Sequence, residues 1–131
     1  MKVLLVSASF EDEWRSSNVN ENSHYPLGIA YLHSYLEKCG HTVENLFLND
    51  YSYVDCARLI NEKVRSFAPE VVGFNILTNN RTSSFAAIEA IHRSNPEIRI
   101  VVGGIHATVM YDQIIRKYPF LIVDPNFQTA I

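Results

Sequence analysis

The feature that most constrains this chain is a set of short apolar runs with almost no alternation: "KVLLVSA" (Lys2 to Ala8), "EVVGFNI" (Glu70 to Ile76), "IRIVVGG" (Ile98 to Gly104) and "FLIV" (Phe120 to Val123). A strand with one wet face alternates apolar and polar residues, whereas a strand buried on both faces does not. The runs therefore predict a parallel sheet covered on two sides. Parallel neighbours need crossover connections, and the sequence between the runs supplies them. Leu27, Ala30, Tyr31, Ser34, Tyr35 and Lys38 recur at three-and-four spacing, with Leu32 and Leu36 widening the apolar face, so Leu27 to Lys38 reads as a helix. Pro26 suits its first turn and Gly40 the position just past its end. "HTVENLFL" (His41 to Leu48) is a less hydrophobic strand, suited to an edge. Tyr53 to Phe67 forms a second helix stopped by Pro69, Arg81 to Asn95 a third ended by Pro96, and Thr108 to Tyr118 a fourth. Helices alternating with five strands predict an α/β fold: a doubly wound five-stranded parallel sheet, flavodoxin-like (Rossmann-like), in strand order 2-1-3-4-5.

A chain of 131 residues, 47% hydrophobic and 19% charged, has the size and composition of one soluble domain. Eleven basic residues against fourteen acidic ones, net −3, with no basic stripe, argue against a nucleic-acid partner. No apolar run reaches the length of a membrane span, and "KVLLVSA" is too short for a secretory leader. Cys39 and Cys56 fall in or near helices, which points to a reducing, cytoplasmic setting. Two cysteines are too few for a self-contained structural zinc site or iron-sulfur cluster, so metal ligands and catalytic residues are not expected in this chain. Difficult chemistry must come from an imported cofactor.

In doubly wound sheets ligands bind outside the carboxyl ends of the strands, where the winding reverses between strands one and three. The loops after Ala8, Ile76, Val102 and Val123 are therefore the informative ones. The first, from Ser9 to Tyr25, is much longer than an ordinary βα connection. It lacks the glycine of a flavodoxin phosphate loop and the G-x-G-x-x-G of a dinucleotide fold. A phosphoacceptor domain needs an aspartate where this chain has Asn75, and a dyad of Ser7 or Ser9 with His24 or His106 lacks a carboxylate to orient the histidine. Adjacent Gly103 and Gly104 end the fourth strand, where the missing Cβ atoms serve either a tight turn or a close approach to a bulky ligand. Thr78, Asn79 and Asn80 add hydroxyl and amide groups that hydrogen-bond a polar ligand tail without importing charge.

Taken together, "PLGIAYLHSYLEKCGHTVE", "PEVVGFNI" and "IRIVVGGIHAT" resemble the N-terminal cobalamin-binding domain of cobalamin-dependent radical S-adenosylmethionine enzymes, a family that includes anaerobic magnesium-protoporphyrin monomethyl ester cyclases. The resemblance runs from about Lys2 to Val123. It implies residues 1–124 as a cobalamin-binding-like domain and 125–131 as a tail leading to a downstream catalytic domain, which would bring S-adenosylmethionine and a 4Fe-4S cluster. It also implies a corrin ring over the carboxyl edge with its nucleotide tail in the crevice. Gly103 and Gly104 would pass beside the tail, Thr78 and Asn79 would bind it, His106 would contact it or cap, and Thr108 would cap the following helix. Ser9 at the end of the first strand belongs to the same site, and Trp14, His24 and Tyr25 would face the lower side of the ring.

Two departures accompany the resemblance. The D-x-H-x-x-G motif that supplies a lower cobalt ligand in other cobalamin folds is replaced by Asn22-Ser23-His24-Tyr25-Pro26-Leu27-Gly28, so His24 is expected to be a neighbour of the corrin and not its ligand. The end reads "VDPNFQTAI" in place of a G-E-G-E-like turn, and C-x-x-x-C-x-x-C is absent. The competing expectation is a same-fold structural or protein-interaction domain that no longer binds cobalamin.

Overall fold

The computed structural model describes residues 1–10 and 27–123. Strands β1 (Lys2–Ser7), β2 (Thr42–Phe47), β3 (Val71–Asn75), β4 (Arg99–Gly103) and β5 (Ile122–Val123) form one parallel sheet in the order β2-β1-β3-β4-β5. Helices α1 (Leu27–Lys38), α2 (Tyr53–Phe67), α3 (Arg81–Ser94), α4 (Ile105–Val109) and α5 (Tyr111–Lys117) connect them. The doubly wound, flavodoxin-like topology expected from the apolar runs is the one observed, with the less hydrophobic β2 at an edge.

Each face of the sheet has its own core. Leu4, Val6, Val72, Phe74, Ile100 and Val102 point to one side, where Cys56, Ile60 and Val64 of α2, Ala87, Ile88 and Ile91 of α3, and Ile114 of α5 cover them. Val3, Leu5 and Val43 point to the other, under Ile29, Leu32 and Leu36 of α1. Phe74 is fully buried, and emptying such a site costs roughly 3–5 kcal/mol. The helix ends follow local chemistry. Ser52 accepts a hydrogen bond from the Asp55 amide at 3.1 Å to start α2, and Ala68, in the left-handed region at φ 51°, closes it immediately before Pro69.

The fourth helix differs from expectation. It begins at Ile105 instead of Thr108 and divides at Met110 (φ −104°, ψ 24°). Gly104 at φ +100° turns the chain sharply enough for helix to start at the strand end, which buries Ala107. A second axis is then used to bury Ile114, while the Met110 amide still reaches the His106 carbonyl at 2.9 Å.

Tyr118 closes this side of the core. Its ring stacks on Phe85 with centroids 5.1 Å apart, and its hydroxyl donates to Glu89 Oε1 at 2.9 Å. Burial, reinforced by the hydrogen bond and charge of Glu89, pushes the phenol up from 10.0 to about 12. A raised acid favours its protonated form in the folded state. Its contribution is therefore complete below the unfolded value and is lost as pH rises through the folded one. The urea-unfolding free energy is expected to decline between about pH 10 and 12, and Tyr118→Phe should remove the part of that decline owed to this group.

Candidate functional site at the carboxyl edge of the sheet

The winding reverses between β1 and β3, and the ends of β1, β3 and β4 are knitted together there. At the end of β1, the Asn49 amide donates to Ser7 Oγ at 2.8 Å and to the Ala8 carbonyl at 2.7 Å. The Ser9 amide donates to Cys56 Sγ at 3.4 Å, its hydroxyl donates to the Tyr51 carbonyl, and its carbonyl accepts from the Ser83 hydroxyl. At the end of β3, Asn80 Oδ1 accepts from the Leu77 amide at 2.7 Å while its Nδ2 donates to the Asn75 carbonyl at 3.2 Å. The pair of bonds forms a short 3-10 turn, Thr78–Asn80, and leaves Thr78 and Asn79 exposed at the rim. At the end of β4, the Gly103 carbonyl accepts from the Ile76 amide at 2.8 Å, and the Ile76 carbonyl accepts from the His106 amide at 3.1 Å.

These bonds decide what each side chain can do. The Cys56 thiol is pushed up by burial, only partly offset by the Ser9 amide, so it is no nucleophile at neutral pH. His106 is lowered by burial and then by the nearby Arg81 charge, so its imidazole is neutral at pH 7. Its ring meets Phe85 edge-on at 6.3 Å. The Arg81 guanidinium donates to the Thr78 carbonyl. Among the described residues no cluster of three or more His, Cys, Asp or Glu side chains could hold a metal ion, and no helix is long and apolar enough to cross a membrane.

Of the residues singled out from the sequence, Thr78, Asn79, Gly103, Gly104 and His106 do converge on one rim. Ser9 lies beneath it, fully buried, with its hydroxyl, amide and carbonyl all engaged by the fold. Thr108 sits inside α4 instead of ahead of a helix, and its hydroxyl donates back to the Gly104 carbonyl at 3.0 Å. Trp14, His24 and Tyr25 lie outside the described residues. Gly104 also gains a definite cause. A Cβ on Gly104 would stand 2.5 Å from Asn75 Oδ1 and 2.7 Å from the Ile76 carbonyl oxygen, so the chain's own close approach already requires glycine there.

Several residues escaped the sequence reading. Asn49 ties down β1, and its only advance signal was a polar residue inside "FLNDYS". Ile105 and Val109, 55% and 74% exposed, form an aliphatic strip along α4 beside His106. Ser84, in the opening of α3, is fully buried, and its hydroxyl has no hydrogen-bond partner among the described residues. An orphaned buried hydroxyl is uncommon and calls for a reason. A cleft of about 440 Å³ lies at the opposite, amino-terminal edge, lined by Arg65, Glu70, Glu97 and Arg99 among others. Mixed charges and the carbonyl ends of α2 and α3 give it no clear preference for an anion.

The family described as "B12 binding domain" matches residues 18–127. The chain belongs to this family. Two curated relatives of this B12-binding domain are anaerobic magnesium-protoporphyrin IX monomethyl ester cyclases. The protein from Rubrivivax gelatinosus is 29% identical over 96 residues, which cover 73% of this chain and 17% of the relative. The one from Cereibacter sphaeroides is 28% identical over 104 residues, covering 75% and 16%. The chain thus spans about a sixth of the length of the curated relatives it matches.

Because Gly104 is held by the fold itself, Gly104→Ala should lower the urea-unfolding free energy of the ligand-free domain by about 2 kcal/mol or more, from positive φ and the clash together. An unchanged midpoint would mean that the turn relaxes freely.

Proposed function

We propose that this domain binds cobalamin across the carboxyl edge of its sheet and presents it to a radical S-adenosylmethionine catalytic domain of the same polypeptide. The observation that carries the reading is the family match over residues 18–127, which takes in β3, β4 and the rim between them. The cyclase relatives support the finer part, with S-adenosylmethionine and a 4Fe-4S cluster residing in the catalytic domain beyond residues 1–124. Bound cobalamin would supply a redox-active cobalt carrying an exchangeable upper ligand.

The rim fits such a group in character. A corrin offers a broad apolar face and a polar tail, and the rim offers the exposed aliphatics Ile105 and Val109 beside the hydrogen-bonding Thr78 and Asn79. The Ser84 hydroxyl, in the first turn of α3 and unpaired among the described residues, is a candidate partner for an entering polar tail. Neutral His106 can donate or accept at the same place. Ser9, Gly103, Gly104 and Thr108 act from behind, holding the strand ends in position. Trp14, His24 and Tyr25, outside the described residues, would complete the site as the resemblance implies, with His24 not expected to be a cobalt ligand.

The domain mixed with hydroxocobalamin and desalted should keep corrin absorbance in the protein fraction. Thr78→Val and Asn79→Ala should each weaken retention, and His24→Ala should leave the positions of the absorbance bands unshifted. Ser84→Ala separates the roles most sharply. Removing an unsatisfied hydroxyl should stabilise the ligand-free domain by about 1 kcal/mol, whereas losing its bond to the tail should weaken cobalamin binding up to about tenfold. A protein fraction without corrin absorbance at high protein concentration would favour a same-fold interaction domain instead.

A further inference from the structure

The outer faces of the two helices that follow β1 and β2 obey different rules. α2 turns Asp55, Arg58, Glu62 and Arg65 to solvent, and Arg58 pairs with both Asp55 and Glu62. α1 has no Asp, Glu, Lys or Arg before Glu37. Its inner side sets Ile29, Leu32 and Leu36 on the sheet. Its outer side shows solvent Leu27, Tyr31 and Tyr35, which are 69%, 64% and 65% exposed. The periodic set that marks this segment as a helix, from Leu27 through Ala30, Tyr31, Ser34 and Tyr35, is thus largely the side turned away from the core. A helix that is apolar on both sides is one that is covered on both sides.

The pattern of the strip says what covers it. A helix lying on a membrane surface edges its apolar face with basic residues, and α1 has only Lys38, next to Glu37. The strip instead fits a copy of itself. Leu27, Tyr31 and Tyr35, four apart, form a ridge about 12 Å long, and the small side chains Ala30 and Ser34 form a shallow row beside it on the same face. Ridges of this spacing pack into the grooves of an identical helix in the commonest mode of helix contact. A two-fold axis at Tyr31 sets that residue against its own copy and brings Leu27 of each chain near Tyr35 of the other. The two Lys38 side chains then start about 21 Å apart along the axis, so like charges do not meet. Three side chains of this size, two-thirds exposed, offer about 400 Å² per copy, against the roughly 800 Å² per partner of a stable complex. We infer that the outer face of α1 pairs two copies of this chain, antiparallel about Tyr31, in a weak dimer with Kd of about 10–100 μM. The inference does not depend on cobalamin, and neither does its test.

Sedimentation of the 131-residue chain between about 5 and 500 μM should carry the weight-average mass from 14.9 kDa toward twice that value. Tyr31→Arg sets like charges on the axis and should raise Kd at least about tenfold, with Tm within about 2 °C of the parent because the side chain is exposed. Tyr31→Cys in a Cys39→Ser background should form an intermolecular disulfide under copper-phenanthroline oxidation, since the axis brings the two Cα atoms close. Val54→Cys in the same background, at a position 72% exposed on α2, should cross-link at least about tenfold more slowly. A mass that stays at 14.9 kDa at about 500 μM would overturn the inference, and binding of that monomer to phosphatidylcholine vesicles would assign the strip to a lipid surface. Self-association that Tyr31→Arg leaves unchanged, or a Val54→Cys variant that cross-links as readily as Tyr31→Cys, would also overturn it.

Discussion

The backbone of β3 runs between β1 and β4 with Val72, Gly73 and Phe74 buried, so its amides and carbonyls have no partners except those two strands. Everything else in the molecule depends on that ladder. It pairs Val6 with Phe74 and Asn75 with Gly103, which brings the ends of three strands to one edge. Had the register slipped by one residue, the side chains of each strand would have exchanged faces and neither core could form.

The groups that the described residues bring to that edge are suited to holding a ligand. Its thiol is kept protonated by burial, its histidine is kept neutral, and its amides and hydroxyls are turned inward to lock strand ends. Among the described residues, the accessible rim carries two polar side chains, two aliphatic ones and the half-buried His106, and the Ser84 hydroxyl is unpaired. A rim of mixed character suits a bulky amphipathic cofactor, because apolar and hydrogen-bonding groups stand side by side. Membership of the B12-binding family gives that cofactor an identity.

Much of this was legible in the sequence, and the reasons are specific. Unalternated runs announced doubly buried strands, and Pro69, Pro96 and Gly40 marked helix ends because each restricts or frees the backbone regardless of its surroundings. The fourth helix was misjudged because its start depends on the φ of Gly104, which in turn depends on how close β4 lies to β3. Thr108 looked like a cap for the same reason. Gly104 stands out in the sequence, but the immediate reason for a glycine there is the neighbouring strand, a fact that no pattern along the chain records.

The sequence by itself determined the class of fold and the order of its elements, because these follow from residue periodicity and local backbone preference, while its motifs carried the resemblance to the family. Only the tertiary structure decided which serines are committed to the fold and which one is left unpaired among the described residues, and which aliphatics stand open at the rim. Those properties depend on distances between residues far apart in the chain, such as Ser9 and Ser83 or Leu5 and Gly73, that meet only when the ladder has closed.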